Sequence, residues 1–196
     1  MKDRREYIIR KAMELYATKG FQNTSITDLQ IALDMGRGTL YYYFKDQEEL
    51  FFTCMEKYFL EPKQRALNSV PEDAGIEDVK QAMLGYLQEI EDALHSFDNQ
   101  IINTSNANGL MLQAYSMFPA MKRKAKRLSL TEYHFWRDAI IHDQRAGEIR
   151  HDIDIEQVAL MFTYIKSSFD SGMAQTQMDF SLIRKSYSEF HNLLRI

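Results

Sequence analysis

Three features of the 196-residue chain predict an all-α fold. Apolar residues recur at three- and four-residue spacing through most of its length, the signature of amphipathic helices. Few windows alternate with period two, so a sheet is not expected. The run Gly36 to Leu50, close behind Gly20-Phe21 and Thr24-Ser25-Ile26, has the spacing of short helices joined by tight turns. The spacing predicts about nine helices. Three form a small N-terminal domain over residues 1–46, and the rest form a larger helical body over 47–196.

The first helix is predicted over 4–18, with Ile8, Ala12, Leu15 and Tyr16 on one side and Arg4, Arg5, Lys11 and Glu14 on others. Gly20 suits the left-handed turn that ends a helix. Thr24 or Ser25 caps a short second helix that runs to about 33. Asp28, three residues after Ser25, stands where a carboxylate meets free backbone N–H groups. Asp34 is an acceptable turn residue. The third helix, 37–44, is too short to be stable alone and needs a scaffold behind it. A fourth is predicted over 46–67, opened by Asp46 and Glu49 in capping-box spacing, with a kink or an end near Leu60 imposed by Pro62. Residues 69–75 read as a surface loop. Helical patterns follow at 76–97, 99–115, 120–144, 155–174 and 180–194, with breaks at Phe118-Pro119, at 146–154 and at 175–179.

The composition fits a globular protein, with 45% apolar residues. No stretch reaches the roughly 18 consecutive apolar residues of a membrane span, and the polar N-terminus lacks the pattern of a signal peptide. The single cysteine, Cys54, forms no intramolecular disulfide and fits a cytoplasmic location. The net charge of −4 is unevenly spread. Residues 1–46 hold eight Lys/Arg against six Asp/Glu, a net of +2, while the remainder carries −6. The local sign permits nucleic-acid binding that the global sign would argue against.

In the N-terminal segment, Phe21, Ile26, Leu29, Met35, Leu40 and Phe44 can pack inward together. That leaves Arg37, Gly38, Thr39, Tyr41 and Tyr43 near an outer face. A short helix held in this way can enter the major groove of DNA. Arg37 can grip a guanine edge with two hydrogen bonds, a contact worth roughly 1–3 kcal/mol of discrimination. Thr39 can meet a base edge, and Tyr41, Tyr43 and Lys45 can fix register through phosphates. An ordinary packed helical hairpin fits the same residues. Three adjacent tyrosines point in different directions, so at least one is expected in the core, and Tyr42 suits half-buried packing.

Residues 8–50 resemble the N-terminal domain of the TetR family of bacterial transcriptional regulators. The resemblance rests on Gly20-Phe21, Thr24-Ser25-Ile26, Asp28-Leu29-Gln30, Gly38-Thr39-Leu40-Tyr41-Tyr42-Tyr43-Phe44-Lys45 and Glu49-Leu50. It implies phosphate contacts from Thr24 and Ser25, and base or phosphate contacts from Arg37, Gly38, Thr39 and Tyr41. Tyr43 stands where the family commonly has a phosphate-contacting histidine. Three turn positions depart from the family pattern: Leu33 for a small alanine, Asp34 for glycine, and Gly36 for serine or a similar polar residue.

The resemblance further implies a homodimer through residues 155–194, a palindromic double-stranded operator and release by a small, largely apolar or aromatic effector. Read independently, Val158, Leu160, Met161, Phe162, Tyr164, Ile165 and Phe169 cover more than one stripe of their helix. Phe180, Leu182, Ile183, Tyr187, Phe190, Leu193 and Leu194 tie down the last. A dimer face or a single buried core explains both patterns. Candidate effector-binding residues are Met83, Tyr86, Met111, Tyr115, Tyr133 and Trp136, with Asn106, Asn108, Gln113 and His134 as polar anchors; any of the apolar ones also suits plain core packing.

The cluster Lys122 to Arg127 reads as a solvated helix face, and the resemblance places it away from the reading heads. No metal-ligand spacing, nucleophile elbow, phosphate-cradling loop or dinucleotide fingerprint occurs, so no enzyme activity, cofactor or metal is implied. Cys54 is either a buried core thiol or a sensor of thiol-reactive compounds. A helical protein–protein module and a transcriptional activator remain the alternatives to a repressor.

Overall fold

The computed structural model describes residues 2–97, 104–171 and 180–196. Its helices are α1 (Lys2–Lys19), α2 (Ile26–Leu33), α3 (Arg37–Tyr43), α4 (Gln47–Met55), α5 (Glu61–Asn68), α6 (Ile76–His95), α7 (Thr104–Met117), α8 (Pro119–Ala146), α9 (Ile155–Ser171) and α10 (Phe180–Leu194). A π-helical turn, Glu56–Leu60, joins α4 to α5. With α4, that turn and α5 taken as one interrupted helix, the described residues form nine. The predicted helical residues 99–103 and 172–174 and the break at 175–179 lie outside them, as do the side chains of Asn106 and Phe169.

The predicted fourth helix is interrupted where Pro62 led one to expect it, next to Leu60. The chain widens into one π turn, closed by the Glu61 N–H on the Glu56 carbonyl, and helix resumes with Pro62 buried in its first turn. Proline lacks an N–H, so the first turn of a helix is where it costs least. The wide turn ends two residues before it.

The chain packs as two compact units. One comprises residues 1–61 with 92–123; the other comprises 62–91 with 124–196.

In the first unit α1 packs on α2, α4 and α7. Ile8, Ile9, Ala12, Met13 and Tyr16 face Leu50, Phe51, Cys54 and Met55, all buried. Phe21 stacks on Phe51 at 4.4 Å, and Tyr16 meets Phe51 edge-on at 5.1 Å. Such pairs add about 0.5–1.5 kcal/mol each beyond their buried area. Phe118, between α7 and α8, joins this cluster, at 6.5 Å from Phe21, 6.0 Å from Phe51 and 5.8 Å from Phe52. Tyr58 packs on Phe97 at 5.1 Å, and the Arg10 guanidinium lies over the same Phe97 ring.

In the second unit the fully buried Trp136 stacks on Phe162 at 4.4 Å and on Tyr187 at 5.7 Å, and Phe162 also meets Phe190. A buried ion pair, Lys63–Glu132 at 2.6 Å, lies between α5 and α8. Buried Asp143 of α8 accepts the Ile76 N–H at 2.9 Å and so caps the start of α6. Gly75 permits that approach, because a Cβ there would lie 2.5 Å from the Asp143 carboxylate. The Arg150 N–H bonds the Leu194 carbonyl at 2.9 Å, fastening the turn after α8 to the end of α10. No helix among the described residues is long and apolar enough to cross a membrane.

Candidate nucleic-acid interface

The first three helices owe their geometry to polar groups at their ends. Gly20 takes φ 77°, the left-handed conformation expected at the end of α1. At α2 the Ser25 hydroxyl accepts the Asp28 N–H at 3.1 Å, while the Asp28 carboxylate accepts the Ser25 N–H at 2.8 Å. This is the reciprocal capping box that the spacing predicts. Lys19 closes on the same carboxylate at 2.6 Å. Together Lys19 and Ser25 hold the Asp28 carboxyl well below the usual carboxylate range.

The turn between α2 and α3 is left-handed at Asp34, with φ 49° and ψ 48°. The Asp34 N–H bonds the carbonyls of Gln30 and Ile31, and the Met35 N–H bonds Gln30. The family's glycine at this position and the observed backbone have one explanation: only glycine enters this region freely, and aspartate is among the few residues that tolerate it.

α3 buries Leu40, with Met35 and Phe44 buried on either side of it. Arg37, Gly38, Thr39 and Tyr41 are exposed, as is Lys45 just beyond the helix, and Tyr43 is half-buried. The Arg37 guanidinium lies over the Tyr41 ring, 5.5 Å from its centroid. The tyrosine triplet departs from expectation, since none of the three is buried. Tyr42, at 71% exposure, packs edge-on against Tyr43 at 5.1 Å. Leu40 and Phe44 already fill the inner face of this seven-residue helix. Ile26 is half-buried rather than core, and Ile31 of α2 is 76% exposed.

Thr24 and Ser25 sit at the start of α2, though neither hydroxyl is idle. Thr24 is buried and its hydroxyl donates to the Gly20 carbonyl at 2.7 Å, while Ser25 is exposed and engaged in the capping box. Two side-chain amides with no local sequence signal for this role position the segment. Gln47 of α4 donates from Nε2 to the Thr24 carbonyl at 2.5 Å. Gln113 of α7 accepts the Phe21 N–H at 3.3 Å on Oε1. At the head of α4, Asp46 accepts the Glu49 N–H at 2.8 Å, while Glu49 takes the Lys45 N–H at 2.6 Å rather than that of Asp46.

The candidate effector residues fall in both units. Met111, buried, and Tyr115, half-buried, belong to the first. Met83, Tyr86 and Trp136, buried, and Tyr133, half-buried, belong to the second. Trp136 is wholly enclosed by aromatic stacking, and its indole N–H has no hydrogen-bond partner among the described residues. Tyr86 also lines an open cavity of about 510 Å³ with Arg65, Ser69, Asp78, Gln81 and Glu89. Cys54 is fully buried with its thiol directed at the Ile9 carbonyl, and burial pushes that thiol well above its usual range. A thiol in that state is a poor nucleophile, which favours the core reading over the sensor.

Comparison with known proteins accords with this geometry. Residues 8–54 match the family described as bacterial regulatory proteins, tetR family. The HTH-type transcriptional repressor DhaR of Mycobacterium sp. (strain GP1) is 21% identical over 154 residues, 76% of this chain and 71% of that protein. The HTH-type transcriptional regulator YezE of Bacillus subtilis (strain 168) is 26% identical over 191 residues, 89% of this chain and 92% of its own length. Among solved structures, a TetR transcription regulator from Haloarcula marismortui superposes with a TM-score of 0.70 at 16% identity, covering all of both chains. The matched segment 8–54 holds the helices whose exposed residues are described above, and the whole chain shares the fold. Residues 8–54 are therefore similar to the N-terminal helix-turn-helix of the TetR family, and the chain as a whole shares the fold of solved TetR-family regulators.

Proposed function

We propose that the protein is a ligand-responsive repressor that binds a palindromic operator as a homodimer, with residues 1–46 reading DNA and 47–196 serving as the sensing and dimerising domain. The observation that carries this reading is α3. Leu40 and Phe44 anchor it, while Arg37, Gly38, Thr39 and Tyr41 face solvent at its start. Arg37 and Thr39 read base edges; Tyr41, Tyr43 and Lys45 hold phosphates, joined by the start of α2 at Thr24 and Ser25. Because the Thr24 and Ser25 hydroxyls are engaged within the fold, their contribution comes mainly through the position of the backbone.

Dimerisation is assigned to α9 and α10, where Met161, Tyr164, Leu182 and Leu193 are exposed. Exposed apolar side chains gathered on two helices are what an interface covers. The repressor sense is supported by the similarity to DhaR, whose name describes a repressor. A small, largely apolar or aromatic effector is assigned to the helical body that follows the first three helices. Its binding lowers operator affinity through a differential preference for one state.

The test is binding of the purified protein to its own upstream DNA beside a scrambled duplex, at two salt concentrations. Preferential, salt-weakened binding that collapses in Arg37→Ala and Tyr41→Ala supports a sequence-reading regulator. Absence of binding to any duplex at low salt, by a folded dimer, refutes it in favour of a helical interaction module. An operator affinity unchanged by a ligand that occupies the sensing domain refutes the coupling.

A further inference from the structure

Arg37 opens α3 and stands between Gly36 and Gly38. Neither neighbour carries a side chain, and a Cβ on either would meet nothing within 4 Å. Arginine has among the largest rotamer freedom of any side chain, and nothing beside it in sequence restricts that freedom here. A residue one turn further on does. The Arg37 guanidinium lies over the ring of Tyr41, 5.5 Å from its centroid. Residues four apart are neighbours on a helix surface, so this pair is built into α3 and needs no other element to bring it together. Both side chains are exposed. No carboxylate pairs with Arg37 among the described residues.

The contact leaves the chemistry of Arg37 intact. A ring attracts a guanidinium through its quadrupole and takes none of the five N–H donors in a conventional hydrogen bond. Those donors stay available for the O6 and N7 of a guanine, which accept two at once. The gain lies in what the ring prevents. An arginine free to swing reaches a nearby phosphate when the base is wrong, and phosphate contacts carry no sequence information. Held over a ring, it gives up less freedom on meeting guanine and is less free to settle elsewhere. The Tyr41 side chain thus has two separate uses, its hydroxyl for a phosphate and its ring for Arg37.

We propose that Tyr41 is a positioning residue whose ring holds Arg37 ready for a guanine in each half-site. Sequence discrimination at that base pair is then set jointly by two residues of α3, one that reads and one that aims. This rests on the reading of Arg37 as a base contact.

Anisotropy titrations of the full-length protein use a site recovered from a randomised duplex library, and duplexes with each of its base pairs replaced in turn. For the wild type, replacing the guanine is expected to cost about 5- to 150-fold in affinity. Arg37→Ala locates that guanine as the base pair whose penalty vanishes. In Tyr41→Leu the same penalty is expected to shrink by about 2–5-fold, while penalties at other base pairs stay. Tyr41→Phe keeps the ring and so keeps the penalty, although affinity for every duplex falls with the hydroxyl. Tyr41 is exposed, so neither variant removes core packing. A full penalty in Tyr41→Leu overturns the proposal, as does an equal loss in Tyr41→Phe. A second measurement needs no DNA. In the free protein the NMR order parameter of the Arg37 Nε–H is expected to drop in Tyr41→Leu and to hold in Tyr41→Phe. Equal values in wild type and both variants overturn the proposal whatever α3 binds. If the order parameters behave as expected but no penalty falls in Arg37→Ala, the fault lies in the reading of Arg37 as a base contact, and the proposal fails with it. Recovery of no site from the library overturns the DNA-binding reading and this proposal together.

Discussion

Asp34 offers the sharpest probe of the helix-turn-helix. It is the only non-glycine residue with positive φ among those described. An L-residue in this conformation gives up about 1–2 kcal/mol to clash between Cβ and the following carbonyl. Aspartate usually recovers part of this through a local side-chain hydrogen bond, yet the Asp34 carboxylate makes none among the described residues. Glycine removes the clash and frees the unfolded chain, which offsets about 0.4–1 kcal/mol of the gain. Asp34→Gly is therefore expected to stabilise the protein by about 0.5–1 kcal/mol. Asp34→Ala keeps the Cβ without the short polar chain that tolerates the region, and is expected to cost about as much. For a chain near 200 residues, 1 kcal/mol moves Tm by about 2–4 °C. The two variants should melt about 2–8 °C apart by circular dichroism at one fixed protomer concentration, with the wild type between them. Asp34→Asn separates charge from geometry and should melt close to wild type. An alanine variant as stable as the glycine variant would refute the left-handed turn and the explanation of the family's glycine that rests on it.

Further outcomes can be checked on the same material. Phe51→Ala removes a fully buried ring in contact with Phe21, Tyr16 and Phe118, and should destabilise the protein by about 3–5 kcal/mol in urea unfolding; a loss below 1 kcal/mol would show that the cluster is loosely packed. The Asp28 carboxyl is lowered in the folded state, so its stabilising effect is complete above the unfolded value of about 3.9 and is lost as pH falls towards the folded value. Asp28→Asn should flatten the acid limb of a stability–pH curve below about pH 4, and an unchanged limb would count against the Lys19–Asp28–Ser25 arrangement. Cys54 should resist iodoacetamide in the native protein and react only along the urea unfolding curve. Fast labelling of the folded protein would contradict its burial.

The helix pattern was legible because each helix carries its own signal. Ser25 and Asp28 announce the start of α2, Gly20 the end of α1, and Leu29, Leu40 and Phe44 the inner face, all within a few residues of one another. What eluded the sequence depends on distant partners. Nothing near Gln47 or Gln113 marks either as a ligand for the backbone at Phe21 and Thr24, because those contacts span 23 and 92 residues. The three tyrosines show the limit of reasoning from one helix. The inner face of α3 was already filled by Leu40 and Phe44, which left no core place for any of them. Pro62 marks the interruption near Leu60, and only its form, a π turn, has no local residue to announce it. The candidate effector residues are the least legible. Met83, Tyr86 and Trp136 are apolar and buried, and that pattern is common to a pocket wall and a core.

The segment Phe21 to Thr24 is held by Gln47 and Gln113 through its main-chain carbonyl and N–H. Every amino acid supplies a carbonyl, and every one but proline an N–H, so these two fastenings are blind to what the segment displays. Gln22, which is exposed and lies between them, is thus free to change by mutation without loosening the frame. Lineages of this protein could acquire new surface chemistry at that corner through single substitutions, each arriving on a scaffold already in register. Gln47 and Gln113 are, by contrast, the residues whose alteration would be felt whatever the corner had become.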